Sequence, residues 1–208
     1  MNIIFDLDGT LIDSRLRLYR LFENLVPNSQ LSYEQYWTLK QNKISNEMIL
    51  SSHLGKSQDE IALFIHQWMA LVESPQYLGL DRNFAGIHIA LAKLQQQANL
   101  HVCTARQSRQ PVLDQLTRFD LLRFFAQVLV TEQKCDKKSL IVSNITNLSA
   151  QDWLVGDTGK DIQAGKLLGI KTCAVLSGFL SRESLEPYEP DLIFDSVEQM
   201  TLTANVLA

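Results

Sequence analysis

Six short apolar runs constrain the fold of this 208-residue chain more than any other feature. Ile3 to Phe5, Leu100 to Cys103, Gln127 to Val130, Trp153 to Val155, Thr172 to Leu176 and Leu192 to Phe194 are each too short for a helix and read as buried strands. From residue 83 onward they alternate with stretches of helical period. Ile87, Leu91, Leu94 and Ala98 share a face, Leu113, Leu116 and Phe119 repeat every three residues, and Ile162, Gly165, Lys166 and Gly169 trace a stripe containing small residues. Strands alternating with helices of about 10–15 residues form parallel sheets, so the fold class is α/β with a parallel, Rossmann-like sheet.

Residues 15 to about 81 break this alternation. Leu18, Leu21, Phe22 and Leu25 make one helical stripe, and Ile61, Phe64, Ile65, Trp68 and Leu71 make a longer one, while nothing between them reads as a strand. The expected organisation is therefore an α/β core from residues 1–14 and 82–208, with an all-helical insertion, 15–81, after the first strand.

Charge and cysteine content narrow the function classes. Nineteen Lys and Arg against 23 Asp and Glu give a net charge of −4, which offers no global basic field for nucleic acid or anionic lipid. Three scattered cysteines supply neither a disulfide framework nor a zinc site, and no apolar stretch approaches the ~20 residues of a membrane span. Asp6 and Asp8 interrupt the N-terminus where a signal peptide needs its apolar stretch. A cytoplasmic protein, monomeric or homodimeric, is expected.

The chemistry concentrates where apolar runs end. Phe5-Asp6-Leu7-Asp8-Gly9-Thr10 closes the first run, and Gly156-Asp157-Thr158-Gly159-Lys160-Asp161 follows the fourth. Ligands of open α/β sheets bind beyond the carboxyl ends of strands. Asp6 and Asp8, two apart in an extended segment, can face one small volume. Asp157 and Asp161 share a face if a helix begins there, although Thr158-x-x-Asp161 also has the form of a capping box. Four carboxylates at one sheet end need a cation, because each like-charged pair at ~4 Å costs about 4 kcal/mol at an effective dielectric near 20. Oxygen ligands alone favour Mg²⁺. A calcium loop starting at Asp6 is excluded by Leu11 where it needs glycine and Arg17 where it needs glutamate. Thr104 ends the second run and offers a hydroxyl, with the N–H groups of a following helix start available to an anion. Lys134, Lys137 and Lys138 lie just past the third run, where one lysine can neutralise a phosphoryl oxygen.

These residues in this order resemble the haloacid dehalogenase superfamily of hydrolases along the whole chain. Asp6-x-Asp8-Gly9-Thr10 is similar to its first motif, Thr104 to its second, a lysine to its third and Gly156-Asp157-x₃-Asp161 to its fourth. The helical insertion matches the small helical cap of phosphoglycolate-phosphatase-like members, as does the tail Leu176-Ser177-Gly178-Phe179 through Pro190-Asp191 and Asp195-Ser196.

The resemblance implies a Mg²⁺-dependent phosphatase acting on a small phosphorylated metabolite. Asp6 would be the nucleophile that forms an aspartyl-phosphate, and Asp8 the general acid and base, its pKa raised by neighbouring carboxylates. Asp6, the Asp8 backbone carbonyl and Asp157 would hold the metal, supported by Asp161. Thr104, Ala105, Arg106, Gly9 and Thr10 would surround the phosphoryl group. An aspartate at position 8, rather than an aromatic residue or alanine, points to phosphoryl transfer within the superfamily. The lysine departs from the usual Lys-Pro-x-Pro, since Lys134 precedes Cys135-Asp136. Lys137, with Leu140 and Ile141 following, matches the family form in which the lysine opens a helix. Within the cap, Lys43 is a candidate for contact with an anionic substrate. A sugar-phosphate phosphomutase and a catalytically degenerate binding protein are the alternatives.

Overall fold

A computed structural model describes residues 1–202. In chain order the elements are β1 (Asn2–Phe5), β2 (Ile12–Asp13), α1 (Arg15–Leu25), α2 (Tyr33–Gln41), α3 (Asn46–Met48, continued by a π-helical turn, Ile49–His53), α4 (Gln58–Leu71), α5 (Pro75–Leu78) and β3 (Arg82–Asn83). There follow α6 (Ile87–Gln95), β4 (Asn99–Thr104), α7 (Arg109–Arg118), β5 (Gln127–Val130), α8 (Lys137–Asn144), β6 (Trp153–Gly156), α9 (Gly159–Leu168), β7 (Lys171–Val175), α10 (Arg182–Leu185), β8 (Leu192–Phe194) and α11 (Val197–Leu202). Each of the six apolar runs becomes a strand of one sheet, ordered β5-β4-β1-β6-β7-β8, with every pair parallel. The fold is α/β with a parallel sheet.

Strand alternation sorts the sheet's side chains onto two apolar faces. Ile3, Phe5, Val102 and Val155 pack with Leu91 of α6, Leu116 of α7 and Met200 of α11, whereas Ile4, Cys103 and Leu154 pack with Ile141 of α8 and Ala164 of α9. Burial on both faces is what makes these strands continuous apolar runs. Cys103 and Cys173 serve as buried core residues, and Cys135 is exposed.

Between β2 and β3, which pair antiparallel, all the described elements are helical. They have a core of their own, with Phe22, Tyr36, Trp37, Ile49, Leu50, Ile61 and Phe64 at its centre. Ser32 and Ser57 open α2 and α4 with reciprocal capping boxes to Gln35 and Glu60, which satisfies the first free N–H groups of each helix. Several contacts join the helical unit to the α/β unit. On one side Trp37 stacks on Phe179, ring centroids 5.5 Å apart, and the Gln41 carbonyl accepts from the Ser181 N–H and the Ser184 hydroxyl. On the other, Glu73 accepts from the Gln107 N–H at 2.7 Å. No helix among the described residues is long and apolar enough to cross a membrane.

Candidate active site

The order β4-β1-β6 places the reversal of sheet direction at β1, and the crevice beyond such a point is where α/β sheets bind ligands. Asp6 leaves β1 still in register, its N–H donating to the Val155 carbonyl at 2.8 Å. Leu7 then begins a tight loop whose carbonyl accepts from the N–H groups of Thr10, Leu11 and Ile12. Asp157 directly follows β6, Thr104 ends β4, and Lys137 is the first residue of α8, capped by Asp136 through Ser139 N–H.

The side chains converge. Asp6, Asp157 and Asp161 are buried, and each offers a carboxylate oxygen within 4.8 Å of the others. Lys137 Nζ donates at 2.5 Å to both Asp6 Oδ1 and Asp161 Oδ1, with only 12 % of its side chain exposed. Burial pushes the Asp6 and Asp157 carboxyls up, and repulsion from Asp161 adds to this, while Lys137 opposes it. Burial would lower the Lys137 ammonium, but Asp161 and Asp6 overturn this and hold it charged. Three carboxylates around one ammonium leave a site short of positive charge and built of oxygen donors, which fits a small divalent cation.

Asp157 is held on every side. Its Oδ1 accepts from the Thr10 hydroxyl at 3.2 Å and its Oδ2 from the Phe179 N–H at 2.8 Å. Gly9, at φ +80°, and Gly178 press against the same carboxylate. A Cβ on Gly178 would lie 2.0 Å from Asp157 Oδ2, and one on Gly9 2.4 Å from it. Thr10, expected beside the phosphoryl group, thus spends its hydroxyl on a neighbouring carboxylate. Asp161 closes the capping box its spacing suggested and also reaches the cluster. Its Oδ2 accepts from Thr158 N–H and hydroxyl, capping α9, and its Oδ1 takes Lys137. Because α9 starts at Gly159, Asp157 precedes the helix, and its closeness to Asp161 comes from the turn rather than a helix face.

Asp8 corrects the sequence reading. Its carboxylate is not one of the three clustered carboxylates and is instead paired with two guanidiniums. Arg106 donates from Nε to Oδ2 at 2.5 Å and from Nη2 to Oδ1 at 2.7 Å, and Arg17 Nη2 also donates to Oδ1. Burial alone would raise this carboxyl, but Arg106 and Arg17 hold it well below the usual range instead of the expected elevation. Asp8 is held here as an ionised group. Arg106, expected to face substrate, donates to Asp8 and to Gln115 Oε1 at 3.1 Å, and its Nη1 has no partner among the described residues.

The remaining candidates differ in their surroundings. Thr104 is buried at the sheet end, and Ala105 is exposed beside Lys137 and Thr131 in a groove of ≈ 560 Å³. Lys134 is 76 % exposed and pairs with Glu132, and Lys138 is exposed on the same groove. Lys43 is exposed, its ammonium 4.4 Å from the Tyr188 ring centroid, and no contact joins it to the carboxylates among the described residues. Arg17, Asp81 and the Phe179 N–H were missed by sequence reasoning. The only trace of the first is its position four before Leu21, on the buried face of α1.

Changing the three lysines to methionine one at a time separates them. Lys137→Met is expected to lose several kcal/mol of electrostatic stabilisation and with it most turnover. Lys134→Met and Lys138→Met are expected to stay near wild type in steady-state assays.

A family model described as haloacid dehalogenase-like hydrolase matches residues 3–175. The chain belongs to this family. Among its relatives, a phosphoglycolate phosphatase of Aliivibrio fischeri is 24 % identical over 212 residues, covering 95 % of this chain and 93 % of that protein. A probable phosphatase, IndB, of Dickeya dadantii is 24 % identical over 220 residues, covering 99 % and 94 %. Among solved structures, a haloacid dehalogenase-like family protein of Streptococcus pneumoniae shares the fold at a TM-score of 0.78 and 21 % identity, covering 97 % of this chain and 96 % of that one. The haloacid dehalogenase family hydrolase YfnB of Bacillus subtilis, described as bound to magnesium, superposes at 0.64 with 19 % identity, covering 99 % and 98 %.

Proposed function

We propose that this hydrolase is a Mg²⁺-dependent phosphatase of small phosphorylated metabolites, related in activity to the phosphoglycolate phosphatases, and that residues 15–81 form its cap. The observation that carries the reading is the convergence of Asp6, Lys137, Asp157 and Asp161 at the end of β1 and β6. Asp6, Asp157 and the Asp8 carbonyl would hold the metal, with Asp161 supporting. When bound, it offsets phosphate charge and draws electron density from phosphorus.

The chain's own groups do the rest. An Asp6 oxygen attacks phosphorus, the bond to the leaving oxygen breaks, and that oxygen takes the proton carried by a protonated Asp8 as the alcohol departs. Lys137 stabilises the equatorial oxygens and is placed to hold Asp6 in line. Water then attacks the aspartyl-phosphate, Asp8 accepts its proton, and phosphate leaves with Asp6 restored. The second half starts from an ionised Asp8, and donation in the first half requires the arginines to loosen their hold so that Asp8 carries a proton.

Screening phosphorylated metabolites, 2-phosphoglycolate among them, with and without Mg²⁺ tests this reading. EDTA is expected to silence phosphate release, Mg²⁺ to restore it, and Ca²⁺ to restore it poorly because its larger, looser shell misplaces the phosphoryl group. Full activity in EDTA would refute the metal assignment. Phosphate returned to a sugar rather than to water would favour a mutase.

A further inference from the structure

Asp8 is gripped by one arginine from each of two structural units. Arg106 follows β4, and its guanidinium is tied to Gln115 of α7. Arg17 belongs to the first turns of α1, just past the crossing from core to cap. It is 2 % exposed and is fastened at the cap's other end, donating from Nη1 to the Val72 carbonyl at 3.2 Å, with Nε 3.1 Å from Asp81 Oδ1. Asp81 also accepts from Gln115 Nε2 at 2.6 Å, so the two arginines, Asp8, Asp81 and Gln115 form one buried network across both crossings.

We propose that Arg17 is a positioning residue that sets the orientation of Asp8 and thereby couples the position of the cap to proton transfer. The proposal rests on the phosphatase reading above. Its argument is geometric. Arg106 alone fixes both Asp8 oxygens to the core, through a bidentate pair. Arg17 adds a third bond, to an oxygen already shared, from a guanidinium anchored to cap residues. A hydrogen bond is lost once its heavy atoms part beyond roughly 3.5 Å. A small displacement of α1 against β4 therefore either turns the Asp8 carboxylate with Arg17 or releases it to Arg106. A second reading, in which the arginines receive another acidic group of the substrate, fails on charge. Asp8, Asp81 and the nearby Glu73 already match the two guanidiniums, leaving no positive charge over.

A double-mutant cycle tests the coupling on an alkyl phosphate with Mg²⁺ present. Arg17→Met alone strands the buried Asp81, so it is combined with Asp81→Asn, with Asp81→Asn as its control and folding followed by thermal melting. Arg17→Lys keeps the charge but has one nitrogen to share between Asp8 and Asp81, and provides a second folded variant. Acid–base groups supply about 10²–10⁴-fold, so Arg17→Met/Asp81→Asn is expected to lower kcat about tenfold or more while KM moves less than about twofold. In an Asp8→Asn background the same change is expected to cost less than about twofold, because residues acting through one group do not add. Arg17→Lys is expected to show an intermediate loss with the same coupling. Equal losses in both backgrounds, or wild-type kcat in a folded variant, would overturn the proposal while leaving the phosphatase reading standing. A wild-type protein that hydrolyses no phosphate ester would remove that reading and this proposal together.

Discussion

Asp6→Asn is expected to abolish turnover in a chain that remains folded. The change is nearly isosteric, but an amide cannot serve as the attacking oxygen, so no aspartyl-phosphate forms. The structure adds a sign for stability. Asp6 is one of three buried carboxylates around a single lysine, and burial and Asp161 both push its carboxyl up. Neutralising it relieves repulsion, so without metal the melting temperature is expected to stay level or rise. Thermal melting and steady-state phosphate release measure the two halves. A loss of less than about tenfold, or ~1.4 kcal/mol of transition-state stabilisation, would sink the covalent mechanism.

Asp8→Asn is expected to lower steady-state turnover of alkyl phosphates by about 10²–10⁴-fold, the usual contribution of an acid–base group. Asparagine is chosen over alanine because Arg17 and Arg106 are 2 % and 4 % exposed, and emptying the space between them strands buried charge. With an aryl phosphate, whose leaving oxygen needs little protonation, Asp6 is still phosphorylated. A rapid burst of the aryl alcohol followed by slow turnover is the expected trace in stopped-flow absorbance. Wild-type turnover of an alkyl phosphate by this variant would show that another group carries the proton.

Why the sequence revealed some of this and hid the rest has physical causes. β1, β4, β5, β6, β7 and β8 are legible because a strand covered on both faces has no polar position to interrupt its apolar run. β2 and β3, two residues each, are too short to leave any period. Asp6, Asp157 and Asp161 are legible because their geometry is local, a carboxylate one step beyond a strand or closing the first turn of a helix. Asp8 was found by the same rule, but its environment was misjudged. The spacing points to the other carboxylates as its neighbours, whereas Arg17 and Arg106 hold both of its oxygens. Arg17 leaves no sign in sequence beyond its place on the buried face of α1, because two of the groups that hold it, Asp81 and Val72, lie far along the chain. The Phe179 N–H that steadies Asp157 leaves no mark at all, since a backbone donor is independent of residue type. Lys43 was chosen for its charge in a loop. Its left-handed backbone, φ 62°, lies just past the end of α2, and its ammonium sits over Tyr188.

The position of β1 in the sheet also sets a timetable for folding. Ile3 pairs with Leu100 on one edge and with Trp153 on the other, so the central strand is synthesised well before either neighbour. Contacts so distant in sequence are slow to close, whereas helices with local contacts form in microseconds. At synthesis rates of about 5–20 residues per second, α1 to α5 have seconds to settle while Ile3, Ile4 and Phe5 wait with both edges open. An unpaired apolar strand is a template for pairing with other chains. Asp6 is thus made before the residues it meets, and a nascent chain ending before Phe179 lacks part of the frame that holds Asp157.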